Sequence, residues 1–167
     1  MSALNTISKG TDGKQLLNDF NEYATDVSIQ STSTVNITQE GTDVYWNPTN
    51  LDGGTNTNGS TERPAFIGLA HELAHSRDKL SDGIANTNEW IKLSDGQKIS
   101  HAEKYASWWE NKIREENNIP LREFYSPGIE QSRLISKSSY IPLFPVIEAV
   151  KAMTLGNTRL PLIPAKY

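Results

Sequence analysis

Apolar residues recur at two different periods along this chain, and the switches between them mark its elements. From Asp12 to Tyr23, the residues Leu16, Leu17, Phe20 and Tyr23 share one side of a helical wheel, which predicts a short amphipathic helix. Residues 1–11 before it are polar and predict a disordered start. The period then drops to two. Val27 and Ile29, Val35 and Ile37, and Val44 and Trp46 alternate with polar residues, while Gly41 and the Ser/Thr cluster at 31–34 supply turns. Two or three short antiparallel strands are expected there. Asn47–Ser60 holds Pro48, Gly53, Gly54 and Gly59 among Asn and Thr and predicts an irregular loop.

The helical period returns at residue 64. Ser60 or Thr61 suits the cap, and Pro64 suits a first turn, where a missing N–H costs nothing. Phe66, Leu69, Ala70 and Leu73 form the core face of this helix, with Gly68, His71 and His75 on another. Residues 76–98 are polar and predict a loop, with turns at Asp82-Gly83 and Asp95-Gly96 and a short element at Glu89-Trp90-Ile91. A second long helix is expected from Ser100 to about Asn117, ended by Asn118 and Pro120. Glu103, Ala106, Ser107, Glu110, Asn111 and Arg114 make one stripe on it, which is either a solvated face with intrahelical pairs or something more specific. Trp108 and Trp109 are adjacent, so at least one of them is expected in the core. Tyr140–Leu155 reads as a packing helix closed by Gly156 and Asn157, with 157–167 as a coil tail. The expected architecture is α+β: a small antiparallel sheet on two main helices, with a C-terminal helix, in a single domain over 1–167.

Composition narrows the chemistry. The chain has 167 residues, enough for one domain with a substantial core, and 36% of them are apolar and 22% charged. A net charge of −4 with no dense Lys/Arg block disfavours nucleic acid and anionic membranes as partners. The pI of 5.4 mildly favours a basic target segment, and a monomer is expected. No residue is Cys, which removes disulfides, thiolate metal sites and cysteine nucleophiles together. No apolar run approaches the ~18 residues of a membrane span. Met1–Gly10 lacks the basic and apolar regions of a signal peptide, so export by that route is not expected.

His71-Glu72-Leu73-Ala74-His75 reads H-E-x-x-H. Positions i and i+4 lie one turn apart on a helix, so His71 and His75 present their imidazoles side by side and can chelate one Zn²⁺. Glu72 can reach a water at the same ion. With 3 His and 12 Glu, a chance H-E-x-x-H arises in about one of 250 such chains. The bland alternative is a core helix whose histidines satisfy buried carbonyls. A catalytic zinc needs three protein ligands and an open position. Continuation to H-E-x-x-H-x-x-G-x-x-H fails, because Asp78 and Ser81 stand at its Gly and last His positions. The third ligand is therefore sought on the second helix. Glu103 is the preferred candidate; Glu110 lies two turns further along the stripe, and His101 faces elsewhere. With Glu103 as ligand, Glu110 and Asn111 would hold an imidazole or Arg114.

The run from Arg63 to Ser76, followed by Glu103, Glu110-Asn111-Lys-Ile-Arg114 and Arg122-Glu-Phe-Tyr125, resembles the NleD-like effector metallopeptidases. Val44-Tyr45-Trp46-Asn47-Pro48 resembles the segment before their zinc helix, and the similarity spans roughly residues 10–127. The resemblance implies a zincin-like fold and a zinc endopeptidase, in a type III effector or a toxin domain of a larger secreted protein. It implies secretion by a non-classical route and action on a host protein in the host cytoplasm; relatives clip mitogen-activated protein kinases in the activation loop. By motif match His71, His75 and Glu103 would hold zinc and Glu72 would be the catalytic carboxylate. Tyr125 or Arg122, shortly after the second helix, is the candidate donor to a tetrahedral oxyanion; a core aromatic is the other reading of Tyr125. Two rivals remain: a non-catalytic interaction module, and a structural zinc site closed by a fourth ligand such as His101.

Overall fold

The computed structural model describes residues 2–82 and 87–135. Its centre is a pair of packed helices, α3 (Ala65–Asp82) and α4 (His101–Glu116). Ile67, Leu69, Ala70, Leu73 and Ala74 of α3 are buried against Tyr105, Ala106, Trp109 and Ile113 of α4. Burial of a Leu or Ile contributes about 1.5–3 kcal/mol, so this seam fixes how the two helices cross. Trp109 is in the core, and Trp108 packs at its margin.

α3 runs well past His75, where a loop is expected from the polarity of residues 76–98. Its last turns are polar yet enclosed. Ser76 is fully buried and donates its hydroxyl to the Gly41 carbonyl, and Arg77 binds Asp19 and the Tyr105 hydroxyl while lying over the Trp109 ring. Polar side chains with buried partners carry no hydrophobic period, so the pattern hid these turns. The remainder of the stretch folds back as a hairpin of β4 (Glu89–Lys92) and β5 (Lys98–Ser100), turning at Gly96 with φ 90° and leading into α4.

The predicted strands form β1 (Ser28–Ser31), β2 (Ile37–Gln39) and β3 (Asp43–Trp46), but the sheet is mixed rather than antiparallel. Glu40 and Gly41, with φ 51° and 80°, turn β2 tightly into an antiparallel β3. The chain thus reverses twice, and β1 and β3 run the same way. Because β3 takes the centre, between β1 and β2, it pairs with β1 in parallel. Alternation gives strand direction but not lateral order. Val44, in the interior of β3, is fully buried on α3, and β2 is left as an edge beside the middle of that helix, where Thr38 meets Glu72.

The expected disorder of 1–11 is also corrected. Ala3–Ile7 form α1, capped by the Ser2 hydroxyl, and Ile7 is fully buried. A single anchoring apolar residue is too sparse to register as a period. α2 (Thr11–Asn18) follows and continues as a 3₁₀ turn, Asp19–Glu22. The predicted helix Tyr140–Leu155 and the tail 157–167 lie outside the described residues.

One capping contact ties the first helices to the last. Gly10 stands at the N-cap of α2 and offers no side chain. The Glu116 carboxylate from the end of α4 fills that place, accepting from the Asp12 N–H at 2.5 Å and the Gly13 N–H at 3.0 Å. A Cβ on Gly10 would lie 2.0 Å from Glu116 Oε2, so the missing side chain is what admits the cap. A carboxylate at a helix N-terminus satisfies orphan donors and complements the dipole. Glu116→Ala is expected to lower stability by about 1–2 kcal/mol, read as a lower denaturant midpoint at unchanged slope. A variant as stable as the parent would show that the contact contributes nothing.

Candidate metal centre

α3 and α4 bring His71, His75 and Glu103 together at the floor of a cleft of about 570 Å³. His71 Nε2 lies 3.2 Å from His75 Nε2 and 3.2 Å from Glu103 Oε2, and His75 Nε2 lies 3.3 Å from the same oxygen. The three atoms form a nearly equilateral triangle. A tetrahedral ion with bonds of about 2.0–2.1 Å holds its ligand atoms about 3.3 Å apart, so the triangle has the size of one face of such a shell. Among the described residues no other His, Asp or Glu joins this group. His101, the candidate fourth ligand, stands outside it.

The same contacts set the protonation of the cluster. His71 Nδ1 faces Glu110 Oε2 at 3.1 Å, and a carboxylate accepts, so the ring proton sits on Nδ1. With no cation between them, His71 Nε2 takes a second proton and donates it to Glu103; a metal would take that proton's place. Burial pushes His71 down, but its hydrogen bonds to Glu103 and Glu110 outweigh this and hold it at about 9. Burial likewise pushes Glu103 up, and the two imidazoles overcome it, leaving Glu103 well below the usual carboxylate range. Imidazolium and carboxylate thus hold each other in their charged forms, and a divalent ion bound there would take the place of the Nε2 proton. The residues fit a divalent ion, and the His₂-carboxylate donor set suits zinc.

Glu110 anchors the arrangement from behind. It is fully buried on the α4 stripe, and Arg114, also fully buried, grips its Oε1 with Nε and Nη2, both at 2.9 Å. Arg122 donates to Oε2 at 3.2 Å. Burial pushes Glu110 up, and the guanidinium groups of Arg114 and Arg122 with His71 hold it well down. Asn111 completes the support: its amide donates to the Arg122 carbonyl at 2.9 Å and accepts from the Arg122 N–H at 2.7 Å. The stripe is thus no solvated face. Glu110 supports an imidazole and Arg114, as expected of it; Asn111 instead clamps the chain after α4.

Glu72, 8% exposed, lines the cleft beside the triad. Thr38 on β2 shares its hydroxyl proton between the Glu72 carbonyl at 2.8 Å and Glu72 Oε2 at 3.0 Å. Tyr125 and Arg122 also line the cleft. Arg122 donates from all three guanidinium nitrogens to protein acceptors, Glu110 and the carbonyls of Phe124 and Tyr125, and lies 4.6 Å over the Tyr125 ring. It is committed to holding this segment. Tyr125 is half-buried with its hydroxyl close to Glu103, and burial with the Glu103 charge pushes its pKa up, so it stays protonated. Sequence reasoning missed Thr38, Asn36 and Arg63, all of which line this cleft. Arg63 stands inside the run that carries the resemblance, which was the one signal available for it.

Residues 1–125 match the Peptidase_M91 family, whose description is effector protein. The chain belongs to that family. The matched span takes in both long helices and every residue of the cluster. Membership in Peptidase_M91 points to a peptidase and, as an effector, to secretion into host cells and a host target. No curated protein and no solved structure matches the chain. No helix among the described residues is long and apolar enough to cross a membrane.

Removing Glu110 would strand two guanidinium groups and the His71 Nδ1 proton in the interior. Breaking a buried ion network in this way costs about 3–5 kcal/mol, and loss of the partner behind a ligand imidazole costs about 10–100-fold in metal affinity. Glu110→Ala is expected to show both effects, in chelator-treated unfolding curves and in zinc competition titrations. Unchanged zinc affinity would remove Glu110 from the site.

Proposed function

We propose that the chain is a zinc-dependent endopeptidase of the effector class, with a zincin-like arrangement of α3 and α4, that cleaves a host protein. The observation that carries this reading is the triangle of His71, His75 and Glu103 atoms, 3.2–3.3 Å on a side, with the Glu72 carboxylate beside it. His71, His75 and Glu103 would hold the metal. Bound there, Zn²⁺ supplies Lewis acidity that brings a water's pKa to about 7 and polarises an amide carbonyl.

The chain's own residues do the rest. Glu72 takes a proton from the attacking water and returns it to the leaving amine. Thr38 holds Glu72 in place, since its hydroxyl contacts both the carbonyl and the carboxylate of that residue. Tyr125, protonated and within reach of Glu103, donates to the oxyanion that forms as the carbonyl becomes tetrahedral. Arg122 acts on Tyr125 rather than on the oxyanion, because its guanidinium is engaged by Glu110 and two carbonyls. A structural zinc site would leave Glu72 without a task.

Mitogen-activated protein kinases are the first host targets to test, and mapping new N-termini in a host-cell lysate covers the remainder. Zinc-loaded protein is expected to generate such termini. Glu72→Ala is expected to lose at least about 10²–10⁴-fold in rate while binding one zinc per chain and unfolding like the parent. Full activity in Glu72→Ala would end the proposal, as would a parent protein that binds no zinc.

A further inference from the structure

The cleft carries a cation that the reaction just described does not use. Arg63 lines it immediately before α3, half-buried. Its Nε donates to the Asp52 carbonyl at 2.7 Å. Among the described residues no carboxylate forms an ion pair with it, whereas Arg77, Arg114, Arg122 and Arg133 each have one. Burial and the neighbouring charges of Arg122 and Arg114 push Arg63 down against the pull of Glu110 and Glu72, so its charge is poorly solvated.

A second unsatisfied donor meets it. Asn36 Oδ1 accepts from the Asn47 N–H at 2.7 Å, which fixes the orientation of that amide. Asn36 Nδ2 is then buried with no hydrogen-bond partner. Both donors converge over Gly68: a Cβ there would lie 2.6 Å from Asn36 Nδ2 and 2.9 Å from Arg63 Nη2. Gly68 thus leaves room for two donors with no acceptor between them. An unsatisfied buried donor is costly, and more so when charged, so an acceptor arriving here is rewarded. Gly68 precedes His71 and Glu72 by three and four residues, which puts this spot one helical turn from the reacting groups.

We propose that Arg63 and Asn36 form a subsite for an anionic side chain of the substrate, close to the bond that is cut. The proposal rests on the peptidase reading above and names the substrate class of that site. The guanidinium fork suits the paired oxygens of an Asp or Glu carboxylate and equally those of a phosphorylated hydroxyl. It reverses the expectation of a basic target drawn from net charge: the cleft is locally cationic at this point although the chain is acidic.

The test is cleavage-site profiling on a peptide pool from a digested host proteome, with and without phosphatase treatment, using zinc-loaded protein. Acidic or phosphorylated residues are expected to be enriched at one position beside the cut, and loss of enrichment after phosphatase would assign the phosphate. In the best-cut peptide, replacing the anionic residue by its neutral counterpart is expected to lower kcat/KM by about tenfold or more. Arg63→Gln is expected to bring that ratio close to one, Arg63→Lys to keep part of it, and Arg63→Glu to favour Lys or Arg at the same position. Thermal unfolding and zinc content of each variant separate folding from selection. A purely structural Arg63 would lower cleavage of all peptides alike. Cleavage without acidic enrichment, or a ratio unmoved in Arg63→Gln, overturns the subsite and leaves the peptidase standing. A zinc-loaded parent that cuts neither the pool nor a lysate overturns both.

Discussion

Glu110 sits in the interior with no exposure to solvent and serves three cations or donors at once: His71 through Nδ1, Arg114 through two nitrogens, and Arg122. Removing a carboxylate from water costs several kcal/mol, and only partners placed this closely offset it. The same contacts decide the tautomer of His71 and therefore which of its nitrogens faces the cleft. They also hold Arg122, whose backbone is clamped to Asn111 and whose guanidinium lies on Tyr125. Geometry on both sides of the cleft is thus set from one buried charge. A hydrophobic core alone would place α3 beside α4, but it would not orient an imidazole.

The pairing of the two helices also explains an unusual feature of the core. Apolar contacts fill one part of the α3–α4 seam, at Leu69, Leu73, Tyr105 and Ile113, and buried polar groups fill the part nearest the cleft, at His71, Glu110, Asn111 and Arg114. Most of the polar part is hydrogen-bonded within the protein: Arg114 donates from Nε to Glu110 and from Nη1 to the Pro120 carbonyl, both at 2.9 Å, while its Nη2 and the Ser107 hydroxyl are buried without a hydrogen bond. A satisfied polar network is rigid, because each member is costly to move while the others stay. Rigidity at this place suits a donor set that must hold a triangle rather than collapse onto itself.

Much of this was readable from residue spacing, for reasons that also show where reading fails. The i, i+4 histidines and the stripe from Glu103 to Arg114 follow from helical period alone, and both stand where that period puts them. The core face of α3 was equally legible, with Leu69, Ala70 and Leu73 buried. Three things were not. The polar end of α3 lacks an apolar period because Ser76 and Arg77 find buried partners from distant elements. Strand order in the mixed sheet depends on which strand the helix covers, and alternation does not carry that information. Thr38, Asn36 and Arg63 reach the cleft from a strand edge, a strand approach and a loop end, and their sequence distance from the motif gives no sign of it.

The last of these bears on how charge should be read in a protein of this kind. Net charge is a sum over the surface and governs solubility and approach. Selection within a cleft is decided by the few groups that are desolvated there, where the effective dielectric is low and each interaction is stronger. Here the carboxylates of the cleft floor are bound to imidazoles or to Thr38, whereas Arg63 lacks a counter-charge. At Arg63 the unpaired charge is therefore opposite in sign to the whole chain, although Glu40 and Asp52 line other parts of the cleft. A substrate segment complementary to the surface would still have to satisfy Arg63 and the buried Asn36 amide on entering, and a basic side chain leaves both donors unpaired. Local desolvation outweighs the overall balance, which makes an anionic residue the better occupant beside the scissile bond.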